Sequence, residues 1–355
     1  MVEAVRRQLQ VDAEWLAPVD RGFHWWPAAF KQTVWAEPPF RDDGFVLSRV
    51  HVQTDFVRGV PIEAAAGFLP VMELASMSGL VRSAGSADEW RLASSFYVHA
   101  DVEESLIPVI SMAAILQAVE VHELAEAAAA TGGRPPAPDG PGGERRSDPD
   151  ELLDLVRAAV APAGEGPSVY PGPEFAAVAE WLNDEGYCAN GDERSLTVEY
   201  PFGDRTSLLR LLTDQPHPVL GNGLCVVVAL RVTPWDESAP GSTATVLGLN
   251  ERELVDSTDT HFMGSWFPAS SGPAYRAFLP NVLGKPGWVP NLVKALTARA
   301  AWAAGVYGVS FVPTGASEVG RLMGLSDTEL DALIAAQPPG DFRDLLATMR
   351  TIRGG

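Results

Sequence analysis

Two stretches of the sequence, 96–120 and 278–302, share one layout: a strand, a corner and a long apolar helix. The first reads FYVHADVEESLIPVISMAAILQAVE and the second reads FLPNVLGKPGWVPNLVKALTARAAW. Aligned without a gap, they share identities at Phe96 and Phe278, at Pro108 and Pro290, and at Ala113 and Ala295. So few identities do not establish a duplication. A unit that occurs twice would nevertheless restrict the fold to two related halves, so the order of the surrounding elements decides the question.

The first part of the chain has an alternation of helical and strand periodicity. The periodicity predicts an amphipathic helix in 2–16, two short strands in 22–38, a strand in 44–57, a helix in 61–79, strands in 80–83 and 89–99, and a helix over 102–130. In the strand at 44–57, apolar Val50 and Val52 alternate with Arg49, His51 and Gln53, as a half-buried strand requires. The predicted order is α-β-β-β-α-β-β-α.

The same order returns in the second part of the chain, preceded by one additional helix. The predicted elements are helices in 150–161 and 173–186, strands in 194–202, 206–213 and 223–232, a helix in 245–258, strands in 261–268 and 273–281, and a closing helix in 287–305. The match of eight elements in order outweighs the few identities. It predicts an α+β tandem repeat with an offset of about 180 residues.

The segment between the two predicted copies, 131–150, reads TGGRPPAPDGPGGERRSDPD and consists almost entirely of glycine, proline and charged residues. Such a composition predicts an exposed, poorly ordered linker. The domains are therefore predicted as a first unit at 1–130, a linker at 131–150, a second unit at 151–304 and a C-terminal extension at 305–355. The extension is predicted to hold a strand at 305–313 followed by three short helices, a small helical cap.

The formal net charge of −20 excludes some classes of partner. Nucleic acids and anionic membranes repel such a surface, and no cluster of lysine and arginine offsets the charge. Basic proteins and cations remain possible partners. The chain has two cysteines, no CxxC pair and no signal-peptide-like N-terminus or run of 18 apolar residues. We therefore expect a cytoplasmic protein without a membrane span.

The repeated order of elements, together with the strand-to-helix phrases at 89–120 and 262–303, resembles YbjN-like proteins and the bacterial type III secretion chaperone-like fold. The resemblance implies a strongly curved antiparallel sheet with helices on one side, and units that pair. It implies a binding or chaperone-like role, because no catalytic signature comes with the family. This chain departs from the family in carrying both units, so the resemblance implies an internal pseudo-dimer and a monomeric chain.

Candidate sites are few. Asp256, Asp259 and His261, in the phrase DSTDTHF, offer ligand types that suit manganese or iron. Aspartate, serine and threonine at a helix end usually form caps and turns, so we expect a turn there, no metal and no cofactor. Five tryptophans could line a groove for a partner, although tryptophans also pack sheet-on-helix cores: Trp25, Trp26, Trp35, Trp266 and Trp288.

The sequence therefore predicts a non-enzymatic protein that binds another protein as a chaperone or adaptor. One alternative is an enzyme with a pocket between the two repeats, using Asp256, Asp259 and His261. The other alternative is a structural subunit of a larger complex.

Overall fold

The computed structural model describes residues 1–309 and 311, except for short gaps. These gaps are 43–44, 70–71, 73–74, 84, 101, 131, 138, 152, 155–159, 161–162, 171, 257–259 and 286. The protein has a mixed α+β fold with two antiparallel sheets, which confirms the predicted α+β class. The predicted helices after residue 313 lie outside the described residues, as does most of the predicted helix at 150–161.

The first sheet belongs to residues 1–130. Its strands are β1 (Leu16–Val19), β2 (Gly22–Trp25), β3 (Gln32–Ala36), β4 (Phe40–Asp42), β5 (Phe45–Arg58), β6 (Gly79–Arg82) and β7 (Glu89–Val98). They are ordered β1-β2-β3-β5-β7-β6, and β4 pairs with β5. Helices α1 (Val2–Leu9) and α2 (Glu103–Ala129) pack together, and α2 packs on β5 and β7. Val50 and Val52 of β5 thereby enter the core. Thr54 lies on the same face and donates to Gln117 of α2 (3.0 Å), whereas Arg49 and His51 alternate with these residues and lie on the opposite face.

The second sheet follows the linker. Its elements are α3 (Gly172–Asp184), β8 (Cys188–Gly191), β9 (Ser195–Phe202), β10 (Arg205–Leu212), β11 (Gly223–Ala229), α4 (Pro240–Val255), β12 (Ser265–Ala269), β13 (Gly272–Pro280) and α5 (Trp288–Tyr307). The strand order is β12-β13-β11-β10-β9-β8. Apolar side chains of these elements, among them Phe175, Leu209 and Val228, form the core of this half.

The strands predicted in both halves and the helices predicted at 102–130, 173–186, 245–258 and 287–305 are confirmed within about five residues, and three short strands, β1, β4 and β8, are additional. The helix predicted at 2–16 is too long: it ends at Leu9, because Gln10 takes a left-handed conformation that ends the helix. The helix predicted at 61–79 is wrong. Its described residues form turns and a 3-10 turn at Ala65–Gly67, and β6 begins at Gly79, because Gly67 and Pro70 interrupt the helical run. The strand predicted at 305–313 is also wrong, since α5 continues to Tyr307.

The prediction that 131–150 is exposed throughout is wrong. Arg146 is buried and its guanidinium donates to the carboxylate of Asp12 (2.5 Å) and to the carbonyl oxygen of Trp26 (2.9 Å). Asp139 accepts hydrogen bonds from the indole of Trp26 (3.0 Å) and from Lys31 (2.5 Å). From composition alone, these charged residues indicate a solvated spacer. In the structure they attach the segment to the first half of the chain through hydrogen bonds.

Helix α2 also bears on the membrane question. Within the described residues, Glu103–Glu126 is the one stretch long and apolar enough to cross a membrane by length and composition. Of its apolar window, 67% is buried inside the protein, as in the core helix of a sheet-on-helix layer.

The two halves contact each other through backbone hydrogen bonds at two places. Ser95 of β7 lies beyond the start of β6, and it exchanges two bonds with Phe262, of 2.8 and 2.9 Å. Phe278 of β13 lies beyond the start of β12, and its N–H donates to the carbonyl oxygen of Ser76 at 2.8 Å. Phe262 of the second half thus pairs with the edge of β7, and Ser76 of the first half pairs with the edge of β13.

We predict that Gly79→Ala lowers the free energy of unfolding by about 1–3 kcal/mol, because a methyl group there would overlap the ring of Phe262 and the carbonyl oxygen of Gly264. Chemical denaturation measures the change. The matched control is Gly248→Ala in α4, where nothing lies within 4 Å of the new methyl group. Removing a mid-helix glycine there should stabilise by about 0.5–1 kcal/mol. Equal effects of the two substitutions would contradict the tight contact at Gly79.

Candidate binding site

The site begins with an irregularity between β3 and β5. Ala36 pairs with Val50, but the next pair is Phe40 with Leu47. Three residues of one strand, 37–39, therefore face two of the other, 48–49, which is a β-bulge. The sequence explains it, because Pro38 and Pro39 have no N–H groups for the ladder. The bulge brings the side chain of Glu37 beside β5.

Glu37 contacts an aromatic pair on the outer face of the first sheet. The Nε2 atom of His51 lies 2.7 Å from Oε1 of Glu37. The imidazole of His51 also stacks on the indole of Trp35, with ring centroids 4.7 Å apart and an interplanar angle of 16°. His51 is buried, whereas the side chain of Glu37 is 39% exposed. The pair therefore presents one accessible carboxylate next to an aromatic surface.

Burial lowers the pKa of His51 below its usual value, and the neighbouring Arg49 lowers it further, while Glu37 acts in the opposite direction. At neutral pH the imidazole is therefore uncharged. The carboxylate of Glu37 can only accept, so the proton lies on Nε2 and the Nδ1 atom is left as an acceptor. Nδ1 is buried and has no hydrogen-bond partner among the described residues.

Arg49 joins the two halves at this site. Its guanidinium donates to the carbonyl oxygens of Leu254 (3.1 Å), Val255 (2.9 Å) and Asp256 (3.1 Å), and to the hydroxyl group of Tyr97. These carbonyls end α4 and have no partner within the helix. A buried cation on the negative end of the helix dipole satisfies them and neutralises their partial charge. Arg49 thus acts as a C-terminal cap supplied by the other half.

A pocket of about 420 Å³ opens where α4 meets the first sheet. Its volume lies within the range of small-ligand sites. The lining residues come from both halves: Trp35, Glu37, Phe40, Arg49, His51, Gln53, Leu254 and Val255. Val255 is 73% exposed and forms an apolar part of the rim.

Of the residues suspected from the sequence as enzymatic, Asp256 and His261 lie next to this pocket without lining it. The Nδ1 atom of His261 accepts the backbone N–H of Tyr97 at 3.1 Å, so His261 joins the two halves. Asp256 accepts the indole N–H of Trp302 at 3.2 Å. Asp259 lies outside the described residues. Within the described part of the chain, no group of three or more histidine, cysteine or acidic residues is placed to hold a metal ion.

The five tryptophan candidates do not come together in one groove. Trp25, Trp26 and Trp266 are buried, and Trp266 donates to Glu253 (2.7 Å) inside the second half. They are core residues, as the alternative interpretation of these tryptophans required. Trp288 is partly exposed at the start of α5. Trp35, also partly exposed, is the one candidate that lines the pocket.

Comparison of the chain with protein-family models, with curated proteins and with solved structures finds no match to any of them.

We predict that Arg49→Ala lowers the free energy of unfolding by about 3 kcal/mol, because one buried and two partly buried carbonyl groups lose a charged donor. The matched control is Arg82→Ala. Arg82 also joins the halves, through Glu251, but its side chain is 36% exposed and the ion pair contributes about 1 kcal/mol or less. Denaturant titration compares the two variants. Similar losses in both would contradict the capping role of Arg49.

A second prediction concerns the free energy of unfolding at acidic pH. Burial and, to a smaller extent, the neighbouring Arg299 together lower the pKa of His261 to about 4. Since the folded pKa lies below the unfolded value of about 6.5, the stabilisation is present above pH 6.5 and is lost as the pH falls from 6.5 to 4. We expect a loss of about 2 kcal/mol, because the partly exposed ring retains some contact with water.

The variant His261→Asn tests this pH dependence. Its amide oxygen can still accept the N–H of Tyr97 but does not titrate. The free energy of unfolding, measured at pH 7, 5.5 and 4.5, should fall less steeply for the variant than for the wild type. Parallel curves for the two proteins would show that His261 does not control the acid response.

Proposed function

We propose that the chain is a non-enzymatic, chaperone-like or adaptor protein that binds another protein, built from two copies of one unit that pair as an internal pseudo-dimer. The observation that carries the proposal is the pocket whose walls come from both halves, with Arg49 on one side and the end of α4 on the other. A site of this kind exists only when the halves are together.

The strand orders support two copies of one unit. With β8 equated to β1, the order β8-β9-β10-β11-β13-β12 corresponds to β1-β2-β3-β5-β7-β6, and β4 is an addition in the first half. Gln117 of α2 and Arg299 of α5 stand at the same offset as Phe96 and Phe278, and both are buried polar residues of the closing helices. The proposal retains the resemblance to YbjN-like and type III secretion chaperone-like proteins, and a cytoplasmic location.

The contacts between the halves support the pseudo-dimer. Phe262, just before β12, pairs with β7, while Ser76, just before β6, accepts from β13. Such reciprocity is typical of an isologous interface, in which the same surface patch is used twice. The pseudo-dimer is asymmetric, because α4 has no helical counterpart among the described residues of 61–78. Among the described residues, the first half therefore has no helix end that could form an equivalent pocket against the second sheet.

An enzyme remains the second candidate, because a neutral histidine oriented by a carboxylate is the usual arrangement of a general base. The residues would be His51 and Glu37 instead of the acidic residues of the DSTDTHF phrase. The pocket lining, as far as the structure describes it, contains no serine, threonine, cysteine, lysine or tyrosine that could act as a nucleophile. A binding site therefore explains the residues that line the pocket better than an active site does.

Photo-crosslinking in the native cell tests the proposed function. A photoreactive amino acid replaces Val255 on the pocket rim, and a matched variant carries it at Val219, which is 43% exposed in the second half. We expect discrete protein adducts from position 255 and none from position 219. If position 255 gives no adduct, or both positions give the same adducts, a partner does not bind at the pocket and the proposal fails.

A further inference from the structure

We propose that the pocket between α4 and the first sheet binds a cationic side chain, that of an arginine or a lysine in a basic partner segment. The inference rests on the proposed function in one respect: the cationic side chain belongs to the protein that the chain binds. The recognition itself is argued from the charges, rings and acceptors that line the pocket.

The accessible charge in the pocket lining is negative. Glu37 is 39% exposed, and its Oε2 atom has no hydrogen-bond partner among the described residues. Arg49 has the opposite charge, and its Nη1 atom lies 3.9 Å from Oε1 of Glu37, but it is 7% exposed and its guanidinium donates to the carbonyl groups that end α4. Those carbonyl dipoles already compensate the cation. An anionic ligand would therefore meet Glu37 without a free positive group to offset it.

Aromatic rings lie beside this carboxylate. Trp35 and Phe40 both line the pocket and both are partly exposed. His51 covers one face of the Trp35 indole, which leaves the other face for a ligand. The face of an indole attracts an ammonium or guanidinium group, and the attraction grows when the cation leaves water. A carboxylate next to an indole, in a pocket of about 420 Å³, can contact both the charged end and the aliphatic stem of such a side chain.

His51 supplies a second acceptor. It is 4% exposed, lines the pocket, and its Nδ1 atom lacks a hydrogen-bond partner in the described part of the chain. A buried acceptor without a partner costs free energy until a donor reaches it. Arginine and lysine side chains carry only donors. The net charge of −20 acts in the same direction, since it attracts basic segments over longer distances.

The inference is tested on the full chain by nuclear magnetic resonance of the ¹⁵N-labelled indole groups, with the Trp35 signal assigned from Trp35→Phe. The probes are the N-acetyl amides of arginine, lysine, citrulline and glutamate. We expect arginine and lysine probes to shift the Trp35 signal saturably. Citrulline, which has nearly the shape of arginine without its charge, should bind at least about tenfold more weakly.

Glu37→Gln should weaken arginine binding about tenfold, because glutamine keeps the size of the side chain and an acceptor oxygen for His51 but removes the charge. The matched control is Glu199→Gln, an exposed residue of β9 in the other sheet, which changes the net charge equally and should leave binding unchanged.

Three results would overturn the inference: citrulline binding as tightly as arginine, glutamate binding more tightly than either cation, or no shift of Trp35 with any probe. The outcome is separate from that of the crosslinking experiment. Adducts at position 255 without a preference for cations would support the proposed function and overturn this inference. Cation binding without adducts would support this inference and overturn the proposed function.

Discussion

The guanidinium of Arg49 is the interaction on which the arrangement of the two halves depends most. It lies on the outer face of the first sheet and binds the last carbonyl groups of α4, which belong to the second half. The carbonyl groups at the end of a helix need donors, and a buried cation needs compensation. Each half supplies a partner for the other, so separating the halves would exchange these hydrogen bonds for hydrogen bonds to water and would remove the cap of α4.

This contact has consequences for the neighbouring elements. It fixes the end of α4 against β5, which places Leu254 and Val255 opposite Trp35 and His51 and so forms the pocket. Inside the second half, α4 is also joined to α5 by a buried ion pair, in which Arg299 lies 2.6 Å from Glu253 of α4. Because breaking a buried pair costs far more than breaking an exposed one, this pair holds α4 on α5 while Arg49 holds its end on the first sheet.

The sequence predicted the fold where periodicity is long and failed where it is short. Strand β5 and helix α2 follow from alternation and apolar length, whereas β1, β4 and β8 span three or four residues and give almost no periodic signal. The helix predicted at 61–79 failed because the apolar residues that suggested it are interrupted by Gly67 and Pro70.

The candidate site was only partly visible in the sequence. The alternation of Arg49, His51 and Gln53 with valines was recognised, but it was interpreted as the solvent side of a half-buried strand. The available signal was a set of charged and aromatic residues on one strand face, next to the Glu-Pro-Pro run that forces the bulge. The other half of the site could not be predicted. The carbonyl groups of α4 lie about 205 residues from Arg49 in the chain, and as backbone groups they leave no pattern in the sequence.

The central claim, that the two halves form one body through reciprocal strand contacts, is tested most directly by amide hydrogen exchange of the intact chain in dilute solution. The N–H groups of Ser95, Phe262 and Phe278 donate across the contact between the halves. We expect these amides to exchange as slowly as those inside the β5–β7 ladder, since they open only when the halves separate. Exchange of Ser95 and Phe262 at the rate of an exposed strand edge, with the ladders on either side still protected, would contradict it.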